Sequence, residues 1–232
     1  MKPIAIFFHC LFFMDNEDNM LANAFNIVGE QMDQVERVGL IGQAREFHVG
    51  INGGEESRPV ANLVIPSKAR LTLHGLQCKN ECRTICLLEQ WLPRHPDWYV
   101  LYFHAKGCTH PPGHEYSSIW RRCMMKNAVT NWRRCVKDLD AGCDSVGSHW
   151  MTGEQTPPGQ SIWAGNFWWA KTSFLATLPS IMLRDRIKLS GIDSIESRYE
   201  SEVWIGNGPC LPRVKDYHGP GWNPGKIGTC IQ

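Results

Sequence analysis

The run Trp98-Tyr99-Val100-Leu101-Tyr102-Phe103 is apolar and β-prone, and it stops abruptly at His104-Ala105-Lys106-Gly107. An imidazole and an ammonium at the end of a buried strand suit the recognition of an anion, because one donates hydrogen bonds and the other brings fixed charge. In open α/β sheets ligands sit outside the carboxyl ends of the strands, which is where this pair would lie. His9 follows a first apolar run, and Asn52-Gly53 closes a second, so both stand at equivalent strand ends. A histidine there is more often a satisfied edge residue, and Asn-Gly more often a turn. Two thiol and imidazole groups invite a metal reading. Cys78, Cys82 and Cys86, with His74, recur every four residues, but on a helix that row is longer than one coordination sphere, so the thiols read as small buried hydrophobes. Cys108, His110 and His114 follow His104 in a Pro-rich loop but lack the repeated Cys-x2-Cys spacing of structural zinc.

Positioning these groups requires a sheet. Residues 3–13 read as a first strand, and Ala24, Ile27, Val28, Met32, Val35 and Val38 predict a helix over 22–38 that ends at Gly39. A second strand is expected over 46–52, with extended pieces over 61–66 and 70–74. A helix over 80–92 stops at Pro93, and the strand 98–104 follows. The order β-α-β-β-β-α-β is that of an α/β nucleotide-binding half. Ile119, Trp120, Cys123, Met124, Ala128, Trp132, Cys135 and Leu139 predict one long amphipathic helix over 117–139. A short strand over 144–148, a loop over 151–160, an aromatic stretch over 161–170, a short helix over 197–205 and a Gly/Pro-rich tail complete the chain.

The 232 residues, 43% hydrophobic and 20% charged, are enough for one substantial core. A net charge of +1 argues against a nucleic-acid binder working through a wide phosphate footprint. The N-terminal apolar run carries His9 and Cys10 and no small-residue cleavage site follows, so it reads as a strand and not as a signal peptide. No apolar run reaches the roughly 20 residues that span a bilayer. Ten cysteines without an export signal point to reduced thiols and a cytoplasmic setting, with any membrane contact peripheral.

Several segments together resemble a glycosyltransferase-like family of the GT-A arrangement: Tyr102-Phe103-His104-Ala105-Lys106-Gly107, Trp120-Arg121 with Met124, Asp144-Ser145-Val146-Gly147, Trp163-Ala164-Gly165-Asn166-Phe167-Trp168-Trp169-Ala170-Lys171 and Glu202-Val203-Trp204-Ile205. The resemblance implies a single GT-A-like, Rossmann-like α/β domain with a mixed, mainly parallel sheet flanked by helices. Residues 1–107 would form the nucleotide-sugar half, 108–210 the acceptor half and 211–232 a tail. It further implies transfer of a sugar from a nucleotide sugar to a hydroxyl of a carbohydrate or glycoconjugate, with inversion if Glu202 is the base.

On that likeness His9, Asn52, His104 and Lys106 would bind the donor, with Glu202, Lys106 and His104 catalytic. GT-A enzymes usually carry Asp-x-Asp where this chain has His104-Ala105-Lys106, and a lysine does not ligate a hard cation. Lys106 would therefore neutralise the diphosphate itself. No metal ligand set and no obligatory cofactor is expected, and manganese or magnesium would be an optional addition. Trp163, Gly165, Asn166 and Trp168 would meet the acceptor, an aromatic face packing on the sugar while the amide orients its hydroxyls. Strand alternation puts Trp168 and Trp169 on opposite faces, so at most one touches sugar. Among Asp193, Glu196, Glu200 and Glu202, the last adjoins an apolar segment that would raise its pKa toward that of a base. Two other classes stay open: a non-catalytic nucleotide or carbohydrate binder retaining the fold, and a metal-dependent hydrolase built on Cys108, His110, His114 and His104.

Overall fold

Strand β1 (Ile4–Leu11) reads IAIFFHCL and is buried at all eight positions. Strand β4 (Tyr99–His104) is buried at every position but the last. Continuous apolar runs of this kind belong in the middle of a parallel sheet covered on both faces. The structure, a computed structural model, describes residues 1–12, 20–75, 81–152, 161–181 and 201–218. Among these, β1 and β4 lie side by side, with β2 (Ala44–Asn52) and β3 (Arg70–Leu73) beyond β1. On the other side of β4 come β8 (Trp168–Lys171), β5 (Ser145–Gly147) and β9 (Val214–Asp216), giving the order β3-β2-β1-β4-β8-β5-β9. Strand β8 is antiparallel to both β4 and β5, and the other strand pairings within this sheet are parallel. A short antiparallel pair, β6 (Trp150–Thr152) with β7 (Ser161–Trp163), stands apart. The result is a single mixed, mainly parallel α/β domain.

Each face of the sheet carries its own core. On one, Ile6, Phe8 and Phe103 pack with Val28 and Met32 of α1 (Met20–Arg37) and with Trp169. On the other, Phe7, Val100 and Tyr102 pack with Ile85 and Leu88 of α4 (Cys82–Trp91) and with Trp168. The two adjacent tryptophans therefore serve opposite cores, as alternation requires. Cys82 and Cys86 belong to the second core as small buried side chains. Two residues past the end of α1, Gly39 takes a left-handed φ of 72°. No helix of the described residues is long and apolar enough to cross a membrane.

Four expectations are corrected. Residues 61–64 are helical and not extended. After the 4-residue α2 (Leu40–Gln43), helix α3 covers Ser57–Val64, with Pro59 tolerated in its first turn and Val64 against Gly29 of α1. The long helix over 117–139 is interrupted: α5 (Glu115–Met124) passes through a π-helical turn, Met125–Thr130, into α6 (Trp132–Asp140). Carbonyls left over by the wide turn find side-chain donors, Trp169 Nε1 on Ala128 at 2.7 Å and Cys135 Sγ on Asn127 at 3.3 Å. The Gly/Pro-rich tail contains β9, too short for any periodicity to announce. Residues 150–152 form β6, and the rest of the expected loop, 153–160, lies outside the described residues, as do Cys78, Asp193, Glu196 and Glu200.

Candidate functional site

The chain winds outward from β1 to β2 and β3, then returns to place β4 on β1's other side. That reversal opens a crevice at the carboxyl ends of β1 and β4. His9 and His104 are register partners across this boundary. A cavity of about 120 Å³ sits there, lined by residues that include His9, Glu81, His104, Lys106 and Cys108. Three of the sequence-predicted groups thus converge. Asn52 ends the neighbouring β2, is fully buried and is not among the lining residues.

On the α4 side a chain of hydrogen bonds fixes the imidazoles. Thr84 Oγ1 lies 2.8 Å from His9 Nδ1 and 3.0 Å from His74 Nε2, so the hydroxyl donates to one ring and accepts from the other. Gly50 makes this close approach feasible, since a Cβ there would stand 1.9 Å from Thr84 Oγ1 and 2.4 Å from His74 Nε2. Burial first, then the neighbouring His104 and His74, hold His9 well below its ordinary value. Burial and then Arg83 bring His74 down to about 4. Both rings are neutral near pH 7.

Glu81, at the start of α4, is the one carboxylate recorded in the cavity lining among the described residues. Its Oε1 is 3.3 Å from His104 Nδ1, and its Oε2 accepts from Tyr102 OH and from Asn166 Nδ2, each at 2.9 Å. His104 Nε2 lies 3.0 Å from the carbonyl of Gly165. Both ring nitrogens of His104 therefore face acceptors within the protein, and a hydrogen bond from it to a phosphate would require one of them to be released. The main chain at this point is tied by Gln31 Nε2 on the His104 carbonyl, 3.0 Å.

Lys106 is 8% exposed and lines the cavity, its Nζ 3.9 Å from the centre of the Trp120 ring. Arg121 donates to the Lys106 carbonyl at 3.0 Å and pairs with Glu30 at 2.9 Å. The cationic end of the crevice is thus built from β4's terminus and α5 together. Lys106 also acts on His149, which burial, His218 and Lys106 together bring to about 3.

The aromatic block occupies a different place from the one expected of an acceptor platform. Trp163, Asn166 and Trp168 have no exposed surface. Trp163 donates to Ser145 Oγ at 2.9 Å, and Trp168, stacked on Tyr102 at 5.1 Å between ring centres, donates to Asn166 Oδ1 at 2.7 Å. Asn166 itself, at a left-handed φ of 56°, holds Glu81 and the Ser201 carbonyl. Since β8 is reversed, the turn before it reaches the same sheet edge as His104, and these residues buttress the crevice from behind. Gly165, with φ of 85°, abuts Met124, whose sulfur would lie 2.6 Å from a Cβ. Glu202 is half-buried, one residue after the carbonyl that Asn166 grips.

The other metal and thiol readings fare differently. His114 accepts from Ser117 N at 3.3 Å as the cap of α5, its ring stacked 4.4 Å from His110. Burial pushes Cys108 up to about 12 and Cys10 well above its usual value, so both stay protonated thiols. Among the described residues Cys108, His110 and His114 are not a set whose ligand atoms converge on an ion. Nor do the residues at 104–106 fit a hard cation of the manganese or magnesium kind. Such an ion wants oxygen ligands, and Glu81 already accepts from Tyr102 and Asn166. Sequence reasoning missed Glu81, Thr84 and Tyr102 as site residues. Only Glu81's position at a helix start opposite a strand end could have signalled it.

No curated protein matches the sequence. Among solved structures, 4-diphosphocytidyl-2C-methyl-D-erythritol synthase is 9% identical, with 81% of this chain and 84% of that one covered and a TM-score of 0.37. CMP:2-keto-3-deoxy-manno-octonic acid synthetase is 11% identical over 98% and 96%, with a TM-score of 0.41. A protein from Desulfovibrio desulfuricans G20, provisionally described as a nucleotide-diphospho-sugar transferase, is 10% identical over 94% and 80%, with a TM-score of 0.44. Residues 7–189 match the family model described as Domain of unknown function (DUF8361), and the chain belongs to that family.

Proposed function

We propose that the chain is a transferase acting on a nucleotide-activated sugar, and that it moves the sugar to an acceptor hydroxyl. The observation that carries this reading is the convergence of Lys106, His9 and His104 on one cavity at the β1/β4 boundary. A buried ammonium in a poorly solvated crevice stabilises charge developing on a departing diphosphate far more than it would in water. The volume of about 120 Å³ suits the reacting end of a donor and not the whole molecule. In the proposed step the bond from the anomeric carbon to the phosphate oxygen breaks, and its electron pair leaves with the nucleoside diphosphate. The acceptor oxygen bonds to that carbon from the opposite side, and its proton passes to Glu202. Trp163, Gly165, Asn166 and Trp168 keep Glu81 and His104 in position, and Asn52, buried at the end of β2, stands behind the cavity lining. No divalent metal is required at residues 104–106.

Release of nucleoside diphosphate from a panel of nucleotide sugars, with and without EDTA, tests the reading. One donor is expected to turn over with EDTA present, and Lys106→Met to lower kcat/KM by about 10²–10³-fold. Glu202→Gln should keep donor affinity and lose transfer. Turnover abolished by EDTA and restored by manganese, or near-normal turnover in Glu202→Gln, overturns the mechanism. The engagement of both His104 nitrogens favours one other reading, a non-catalytic nucleotide binder. Donor binding without turnover across the panel would select it.

A further inference from the structure

Cys123 near the end of α5, His149 just after β5 and His218 just after β9 come from three separate elements. One ligand atom from each nevertheless lies within 4.8 Å of the others. A thiol with two imidazoles is the donor set of a borderline-soft divalent ion, zinc above all. At Zn–S of about 2.3 Å and Zn–N of about 2.0–2.1 Å, tetrahedral ligands stand roughly 3.5 Å apart. Small side-chain rotations therefore close the observed spacing.

The backbone around the two histidines is anchored by a single carboxylate. Asp216 Oδ1 accepts from the backbone N–H groups of His149 and His218, each at 2.9 Å, and its Oδ2 accepts from Trp150 N at 3.0 Å. His149 is held at φ of 68°, a conformation costly outside glycine and kept where the surroundings insist on it. The two imidazole centres are 4.3 Å apart, and Asn127 Nδ2 approaches Cys123 Sγ at 3.9 Å. Cys123 and His149 are fully buried while His218 is half-buried, which leaves an entry route for an ion.

We propose that Cys123, His149 and His218 bind one zinc ion, with a fourth position open to water or another oxygen ligand. The Cys123 thiol releases its proton to solvent as the ion binds, and Asp216 is a positioning residue that orients both histidines. The site adjoins Trp120, whose ring is 6.2 Å from that of His149 and carries the Lys106 ammonium on its face. It is chemically unlike the oxygen site of a hard cation and does not depend on the transfer reaction proposed above.

The chelator-treated chain should take up one zinc or one cobalt ion. Bound cobalt should show a thiolate-to-metal charge-transfer band. Cys123→Ser should abolish that band. Asp216→Asn should keep it and weaken binding about 10–100-fold. Should Cys123→Ser fail to fold, His218→Gln, at a half-buried position, is expected to weaken cobalt binding on the order of 100-fold with the circular dichroism unchanged. Folded wild-type chain that takes up neither ion overturns the proposal. So does a charge-transfer band that survives Cys123→Ser, or undiminished cobalt binding in folded His218→Gln, which would mark adventitious surface metal only.

Discussion

Asn166 ties Glu81, a residue of the crevice wall, to the turn before β8. Its amide donates to Glu81 and to the Ser201 carbonyl, its oxygen accepts from Trp168, and its left-handed backbone turns the chain into β8. Asparagine tolerates that conformation better than most residues, because its short side chain bonds locally. Asn166→Ala leaves buried partners unmatched, at a cost of about 2–4 kcal/mol. In a chain of this size that is a fall in Tm of roughly 4–16 °C, read by thermal melting. Lys106 is held differently. One of its contacts, the cation–π contact with Trp120, is worth about 0.5–2 kcal/mol.

At the level of elements, β8 and the π-helical turn support each other across the sheet. Trp169 Nε1 on the Ala128 carbonyl is the bond that joins them, on the face opposite Trp168. Trp169→Phe should lower stability by about 1–3 kcal/mol. That corresponds to roughly 2–12 °C in Tm, with donor affinity unchanged in the same sample. What could be read from sequence follows from the kind of signal each element emits. β1, β4 and α1 carry long apolar patterns, so they were legible, and with them His9, His104 and Lys106 as strand-end groups. Helix α3 hid behind Pro59, the π turn preserves an amphipathic pattern while changing its geometry, and three residues of β9 hold no period. Glu81, Asp216 and the Cys123, His149 and His218 trio escaped because their meeting is purely tertiary. Trp163 and Trp168 are buried, and a tryptophan beside Gly-Asn reads the same in sequence whether its ring faces a ligand or a core.

Across the whole molecule, buried neutral histidines set a direction for acid sensitivity. His9 and His74 are depressed below their ordinary 6.5, mainly by burial, with His104 and Arg83 adding to it. Between pH 6.5 and about 4 the unfolded chain takes up protons on these rings that the folded chain refuses. Their contribution to stability is therefore whole above pH 6.5 and is lost as the pH falls toward 4. Urea midpoints at pH 8, 6 and 4.5 should decline in that order, and the decline should be shallower in His74→Gln. A midpoint that rises on acidification contradicts the assignment.

The position of β9 also bears on how the chain is made. β5 pairs on that side with β9, and 67 positions separate His149 from Asp216. At about 5–20 residues per second, a ribosome needs roughly 3–13 s to cross that interval. For that time the nascent sheet presents a bare margin able to recruit a neighbouring chain.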